Sequence, residues 1–177
     1  MTPATKVFAG QGRLIEKGFR QGGPAGYGLR RTLVDENGVI KGTLARGEQK
    51  SIQTDRVILS PGPTDEIDIV RKIYRAFVHD HQSESDIAAN LNSEGLRSDL
   101  GRPWTRGTVH QMLINEKYVG DNVWNRQSFK LKKKRVRNEP VMWIRRRGAF
   151  EAIIERDLFE AAQSLINARS FRMTDAD

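Results

Sequence analysis

The stretch Lys130–Arg137, which reads KLKKKRVR, carries six positive charges in eight residues. Burying so many like charges is very costly, so this stretch must lie in water or against a polyanion, and the core must form from other segments. From Arg126 to Arg147, here named the cationic strip, the charge is +9, while the whole chain carries +8. The remaining residues therefore sum to −1. A near-neutral body with one cationic strip is typical of proteins that bind polyphosphates.

The cationic strip contains ten basic side chains that we predict to bind phosphate. Two alternatives are a solvated basic loop without a partner and a nuclear-import signal, although the latter explains only residues 130–137. Phosphate contacts would serve RNA as well as DNA, but the aromatic content of 7% argues against a base-stacking RNA platform. The ten candidates are Arg126, Lys130, Lys132, Lys133, Lys134, Arg135, Arg137, Arg145, Arg146 and Arg147.

Composition excludes several classes of site. The chain has no cysteine, which rules out a disulfide framework, a thiol nucleophile and a cysteine zinc site, and which fits the cytoplasm that we expect as its location. No apolar run approaches the ~18 residues of a membrane span, and no secretory signal is visible, so no membrane partner is expected. His79 and His81 flank Asp80 with too few further ligands for a metal, and no serine has a visible histidine–acid pair. We expect no metal, no cofactor and no self-contained active site.

Local patterns predict an α+β fold, with a small antiparallel sheet or hairpin, a helix-turn-helix-like helical core and a C-terminal helix. Residues 27–34 and 39–45 flank Asp35-Glu-Asn-Gly38, which indicates a hairpin. The glycines between residues 22 and 28 are predicted to take positive φ. Further predicted strands are 54–59, 118–125 and 140–144, and the predicted helices are 5–18, 64–79, 84–94, 105–115 and 157–168.

Two of these helices have sequence signals at their starts. Ser83 and Asp86 have the spacing of a capping box for helix 84–94. Trp104 and Val109 have the spacing of a hydrophobic staple around Thr105, which opens helix 105–115. The pair resembles a helix-turn-helix with a long turn, in which the second helix enters the major groove of DNA.

On that interpretation the exposed face of helix 105–115 reads base edges. Arg106 would pair with guanine and Gln111 with adenine. Arg102 would clamp a phosphate just before the helix, and the helix N-terminus would bind a second phosphate. An ordinary helical hairpin with a solvated polar face is the alternative. The candidate DNA-binding residues here are Arg102, Thr105, Arg106, Thr108, His110 and Gln111, and we expect this helix and the cationic strip to engage one duplex together.

The order of several motifs resembles the recombinase domain of large serine recombinases, over about residues 18–168. The segments that carry the resemblance are GGPAGYGLRR at 22–31, VILSPGPTDEIDIVRKIYRAF at 57–77, DIAANLNSEGLRSDLGRPWTRGTVHQMLINEKYVGDNVWNR at 86–126 and AIIERDLFEAAQSLI at 152–166. The resemblance implies sequence-specific binding of recombination-site DNA. It also implies a homo-oligomeric parent that exchanges DNA strands through a serine–phosphodiester intermediate.

The chain departs from that family in two respects. Nothing corresponds to the N-terminal domain that holds the serine nucleophile, and the cysteines of the family's zinc ribbon are missing. We therefore expect an excised middle domain or a remnant that binds recombination half-sites without cutting them, beside other domains of the same recombinase. The expected parts are the end of a linker helix at 1–18, the DNA-binding domain at 19–168 with a basic arm at 126–147, and a tail at 169–177. A free-standing helix-turn-helix transcriptional regulator is the alternative.

Overall fold

The computed structural model describes residues 2–130 and 134–174. Its helices and strands, in chain order, are α1 (Pro3–Glu16), β1 (Leu29–Val34), β2 (Ile40–Leu44), β3 (Arg56–Pro61), α2 (Thr64–Val78), α3 (Glu84–Ser93), α4 (Arg106–Leu113), β4 (Asn122–Trp124), β5 (Gln127–Lys130), β6 (Lys134–Arg137), β7 (Ile144–Arg146) and α5 (Arg156–Thr174). Short 3-10 turns cover Asp99–Gly101, Glu116–Val119 and Pro140–Met142. The predicted α+β class is confirmed.

The chain divides into two compact units. Unit 1 comprises residues 1–25, 30–60 and 120–152, and unit 2 comprises 26–29, 61–119 and 153–177. Unit 1 holds α1 and nearly all of the β-structure, whereas unit 2 holds the other four helices. No helix in the described ranges is long and apolar enough to cross a membrane.

The three-stranded sheet of unit 1 has the order β2–β1–β3. The antiparallel β1–β2 hairpin lies where the turn signal predicted it, with Thr32 opposite Thr43. In the turn, Asp35 accepts hydrogen bonds from the backbone N–H groups of Asn37 and Val39, both at 2.8 Å, while Gly38 takes φ +83°. A short acidic side chain and a glycine therefore stabilise the reversal locally.

The predicted strands near the cationic strip are partly wrong. Residues Glu116–Val119 form a 3-10 turn, and only Asn122–Trp124 becomes a strand. Tyr118 and Val119 are both buried, which the two-residue period of a strand does not allow on a one-sided sheet. The partner strand is β7 rather than 140–144, because Pro140 begins a 3-10 turn instead.

Unit 2 is built around α2, whose residues Val70, Ile73, Tyr74 and Phe77 are all buried. They belong to a core to which α3, α4 and α5 each contribute at least one apolar side chain. The predicted starts of α3 and α4 are confirmed by their caps, since the side chains of the N-cap residues accept hydrogen bonds from the N–H groups of the third residue of each helix. The side chains that α3, α4 and α5 contribute include Ile87, Leu91, Val109, Leu113 and Ala162.

The last helix is longer than predicted, since α5 continues to Thr174 rather than ending at residue 168. No glycine or proline interrupts residues 157–174, so nothing local terminates it. Arg169 also ties this end to α2, because its guanidinium lies 4.5 Å from the ring centroid of Phe77 and donates to the carbonyl of His81 at 3.3 Å. Tertiary contacts of this kind extend a helix past its predicted end.

The glycine-rich segment before β1 confirms the prediction of positive φ. Gly28 has φ +78°, and a Cβ atom there would lie 3.0 Å from Val70 Cγ2. Its N–H donates to a carboxylate oxygen of Glu66 at 2.9 Å. Only glycine both adopts this conformation and allows the backbone to approach α2 so closely.

Candidate nucleic-acid interface

The start of α4 is fixed by reciprocal hydrogen bonds between two threonines. The Thr105 hydroxyl accepts from the backbone N–H of Thr108 at 3.1 Å, and the Thr108 hydroxyl accepts from the N–H of Thr105 at 2.9 Å. Because this capping box satisfies donors that the first turn leaves open, the helix begins at a defined residue. The Thr108 hydroxyl is thereby engaged in the cap, although the residue is exposed.

One side of α4 is anchored in unit 2. Trp104 and Val109, the pair with staple spacing, are both buried. The Tyr74 hydroxyl lies 2.9 Å from the carbonyl of Met112 and 3.2 Å from that of Leu113, within donating distance of both. Burial raises the pKa of Tyr74 well above its ordinary value, because the phenolate would lose its hydration there. A neutral, buried tyrosine therefore holds the C-terminal end of α4.

The opposite side of α4 is polar and exposed. Arg106, Thr108 and Gln111 are exposed, and His110 is half-buried. Arg106 is not free, because its Nε donates to a carboxylate oxygen of Glu84 at 3.2 Å. Nδ1 of His110 lies 2.6 Å from the other oxygen of the same carboxylate. Four predicted side chains are thus together on one helix, and two of them share an acidic neighbour that sequence reasoning missed.

The long turn before α4 is held by an asparagine that had no recognisable sequence signal. The Asn92 side chain donates to the carbonyl of Trp104 and accepts from its N–H, both at 2.8 Å. Within the turn, the Arg102 carbonyl accepts from the N–H of Ser98 at 2.8 Å and from its hydroxyl at 2.9 Å. The Arg102 side chain is exposed just before the cap, as a phosphate contact would require.

In unit 1, part of the cationic strip is an antiparallel hairpin, which the sequence analysis did not predict. Strands β5 and β6 pair with Gln127 opposite Arg137 and Lys130 opposite Lys134. Side chains alternate between the faces of a strand, so Arg135 and Arg137 share one face while Lys134 lies on the other. All three are exposed. Lys132 and Lys133 lie outside the described residues.

The base of this hairpin contains an aromatic platform. The guanidinium carbons of Arg126 and Arg137 lie 4.8 Å and 5.8 Å from the ring centroid of Trp143. The indole N–H donates to the carbonyl of Asn138 at 3.0 Å, and the amide of Asn138 donates to the carbonyl of Asn125 at 2.8 Å. Cations over an aromatic face are attracted by the ring quadrupole, so the ring orders two charges that would otherwise repel.

The remaining cations of the strip lie in and after β7. Arg145 and Arg146 occupy successive positions opposite Val123 and Asn122 of β4, so they lie on opposite faces of the ribbon. Both are exposed, as is Arg147. The described part of the strip therefore presents its charge in several directions rather than on one face.

The described residues contain no group of three or more His, Cys, Asp or Glu that could hold a metal ion. His79 ends α2 as its C-cap, and His81 has φ +53° in the turn that follows. Both belong to the connection between α2 and α3.

The chain is similar to one known protein family and to several solved structures. The model of the Recombinase family matches residues 64–169. None of the curated protein sequences is significantly similar to this chain. Among solved structures, one described as the crystal structure of an LSR-DNA complex has 16% identity and a TM-score of 0.52, covering 93% of this chain and 38% of that one.

A second solved structure comes from work on the sequence requirements of the Listeria innocua prophage attP site. It also has 16% identity and a TM-score of 0.52, and the match covers 92% of this chain and 51% of that one. The chain thus spans between about two fifths and half of the length of these structures, and at this identity the likeness concerns the fold.

Proposed function

This chain belongs to the Recombinase family, as its motifs indicated, and we propose that it binds duplex DNA at a recombination half-site. In this role it is one domain of a large serine recombinase. The observation that carries the proposal is the anchored, capped helix α4, whose Arg106 and Gln111 are exposed while Val109 and Leu113 are buried. A helix held on one side and polar on the other suits insertion into a major groove.

Direct readout is assigned to the exposed face of α4. Arg106 donates to guanine O6 and N7, and Gln111 pairs with adenine N6 and N7. His110 adds a hydrogen bond to a base or sugar. Thr105 and Thr108 lie at the start of α4, which contacts the sugar-phosphate backbone of the DNA. Arg102 binds the adjoining phosphate.

The cationic strip supplies affinity that does not depend on sequence. Its cations neutralise phosphates and release counterions, which steers the chain onto any duplex before α4 tests the bases. The platform at Trp143 supports this role, because ordered guanidinium groups lose less entropy when they meet a phosphate. The strip comprises Arg126, Lys130, Lys132, Lys133, Lys134, Arg135, Arg137, Arg145, Arg146 and Arg147.

The chemical step belongs to the full-length parent in this proposal. A serine of another domain attacks the phosphodiester, becomes covalently linked to the 5′ phosphate and releases a 3′ hydroxyl. After the strands are exchanged within a homo-oligomer, a 3′ hydroxyl attacks the phosphoserine bond, which reseals the DNA and frees the serine. The two solved structures, described as an LSR-DNA complex and as work on an attP site, support this context. Membership of the Recombinase family favours it over a free-standing transcriptional regulator.

Selection of bound duplexes from a random pool tests the proposal. We expect an enriched motif with a G·C pair at the position that Arg106 reads. Binding to the selected duplex should weaken steeply with salt. If ~6 cations contact phosphates, the slope of log K against log salt should be about −5. The purified chain should not nick supercoiled DNA. A pool that yields no enrichment, even at low salt, contradicts sequence-specific binding.

A further inference from the structure

One carboxylate in unit 2 holds two residues of the proposed reading helix at once. Glu84, the first residue of α3, contacts Arg106 Nε with one oxygen at 3.2 Å and His110 Nδ1 with the other at 2.6 Å. Arg106 and His110 are four residues apart, so they lie on the same face of α4. A single acid from the preceding helix therefore spans one turn of that face.

The side chains of Glu84 and Arg106 differ sharply in their exposure to solvent. The Glu84 side chain is 11% exposed, whereas that of Arg106 is 73% exposed. An ion pair whose acid is largely shielded is screened less than one between two exposed side chains. The carboxylate is thus a fixed support, and the arginine extends from it into solvent.

The backbone of Glu84 is itself well positioned. Ser83 caps α3, and its hydroxyl accepts from the N–H of Asp86 at 3.1 Å. Glu84 occupies the first turn, where a negative charge is favoured by the helix dipole. Neither interaction involves Arg106 or His110, so the start of α3 is fixed independently of the side chains that the Glu84 carboxylate holds.

The donor that Glu84 contacts is the inner nitrogen of the guanidinium. The two terminal nitrogens, Nη1 and Nη2, form the far edge of the fork, which is the edge suited to a bidentate contact with guanine. Holding Nε restricts the rotamers of this flexible side chain, so less rotamer entropy is lost when the fork meets a base.

We propose that Glu84 is a positioning residue that sets base specificity by holding Arg106 ready to read guanine. This inference rests on the proposed function and adds to it a residue outside the predicted DNA contacts. Glu84 touches no base. It acts through Arg106, and a negative charge at this place also disfavours contact with a phosphate, so the arginine is kept for bases.

The test compares Glu84→Gln, Glu84→Ala, Arg106→Ala and the double variant Glu84→Ala/Arg106→Ala with the wild type. Each is measured on the selected duplex and on duplexes altered at single base pairs. Glu84→Ala should reduce discrimination about two- to tenfold at the base pairs that Arg106→Ala affects, the factor expected for immobilising one flexible side chain. In the double variant the two losses should not add, and the salt slope should be unchanged by Glu84→Ala.

Glu94→Gln is the matched control, because Glu94 also accepts from a cation, Lys72, but on an exposed part of unit 2. It should keep full discrimination. Thermal melting of each variant distinguishes a loss of stability from a loss of base discrimination. If Glu84→Ala proves unstable, Glu84→Gln serves in its place because it preserves the side-chain volume. Full discrimination in both Glu84 variants, or additive losses in the double variant, would overturn this inference alone. A wild-type chain that shows no discrimination would overturn the proposed function and the role of Glu84 with it.

Discussion

The guanidinium carbon of Arg126 lies 4.8 Å from the ring centroid of Trp143, so a cation of the strip rests on an aromatic face. Arg137, on the other strand at the same end of the β5–β6 hairpin, approaches the same ring at 5.8 Å. One indole therefore organises two charges that are eleven residues apart in sequence. The strip is in this part a built surface rather than a solvated loop.

Replacing Trp143 by alanine should weaken binding to all duplexes by about 1 kcal/mol, or roughly fivefold, because two cation–π contacts are lost. Trp143→Phe keeps an aromatic face, so its affinity for duplexes should lie between those of the wild type and Trp143→Ala. Fluorescence anisotropy with labelled duplexes measures the effect. Trp124→Phe is the control, since Trp124 packs on Phe8 instead. A change in base preference for Trp143→Ala would contradict a phosphate-binding role.

Neutralising Lys132, Lys133 and Lys134 to glutamine should weaken every duplex similarly. If each lysine contacts a phosphate, the salt slope becomes shallower by about 0.9 per lysine. Titrations between low and moderate salt give both quantities. An unchanged slope would show that these lysines do not contact the backbone of DNA.

Arg106→Ala should relax preference at one or two base pairs and cost about 1–3 kcal/mol on the selected site. The salt slope should change little, because the contact is to a base. Competition binding against duplexes with single substitutions measures it. If site preference survives intact, α4 does not read DNA through Arg106.

Gly28→Ala should destabilise unit 2 more than Gly26→Ala does. Both glycines have positive φ, but only at Gly28 would the new Cβ meet Val70 Cγ2, at 3.0 Å. We expect an excess cost of about 1–3 kcal/mol from overpacking, visible in urea unfolding. Equal costs at both positions would mean that the close approach of the backbone to α2 does not constrain the fold.

Alkaline pH should destabilise the fold. Burial raises the pKa of Tyr74 and of Tyr118, whereas in the unfolded chain both ionise near pH ~10. The unfolded state then loses protons that the folded state retains, so the free energy of unfolding is unaffected below that pH and falls above it. The fall reaches at most about 1.4 kcal/mol per pH unit for each tyrosine.

Tyr74→Phe isolates one of these groups. It should cost about 1 kcal/mol at neutral pH through lost hydrogen bonding to the end of α4. The same variant should lose stability less steeply than the wild type above pH 10. Urea unfolding at a series of pH values measures both effects. An identical pH dependence would mean that Tyr74 ionises in the folded state.

Much of the secondary structure could be predicted from the sequence because its signals are local. The caps at Ser83 and Thr105, the turn at Asp35–Gly38 and the positive φ of Gly28 each depend on residues within a few positions. The charge of the cationic strip is also a property of sequence alone. These features sufficed for the α+β class and for the hypothesis that α4 reads DNA, whereas the family resemblance rested on the order of four longer segments.

Only the tertiary structure decided how the candidate residues are supported. Glu84 and Arg106 are 22 positions apart, and their contact exists because α3 and α4 pack together. The hairpin within the cationic strip and the ring that lies under Arg126 and Arg137 were likewise not readable from a run of basic residues. Caps and turns are satisfied by near neighbours whatever the rest of the chain does, whereas the partner of an exposed cation is set by which distant segments the burial of the core brings together.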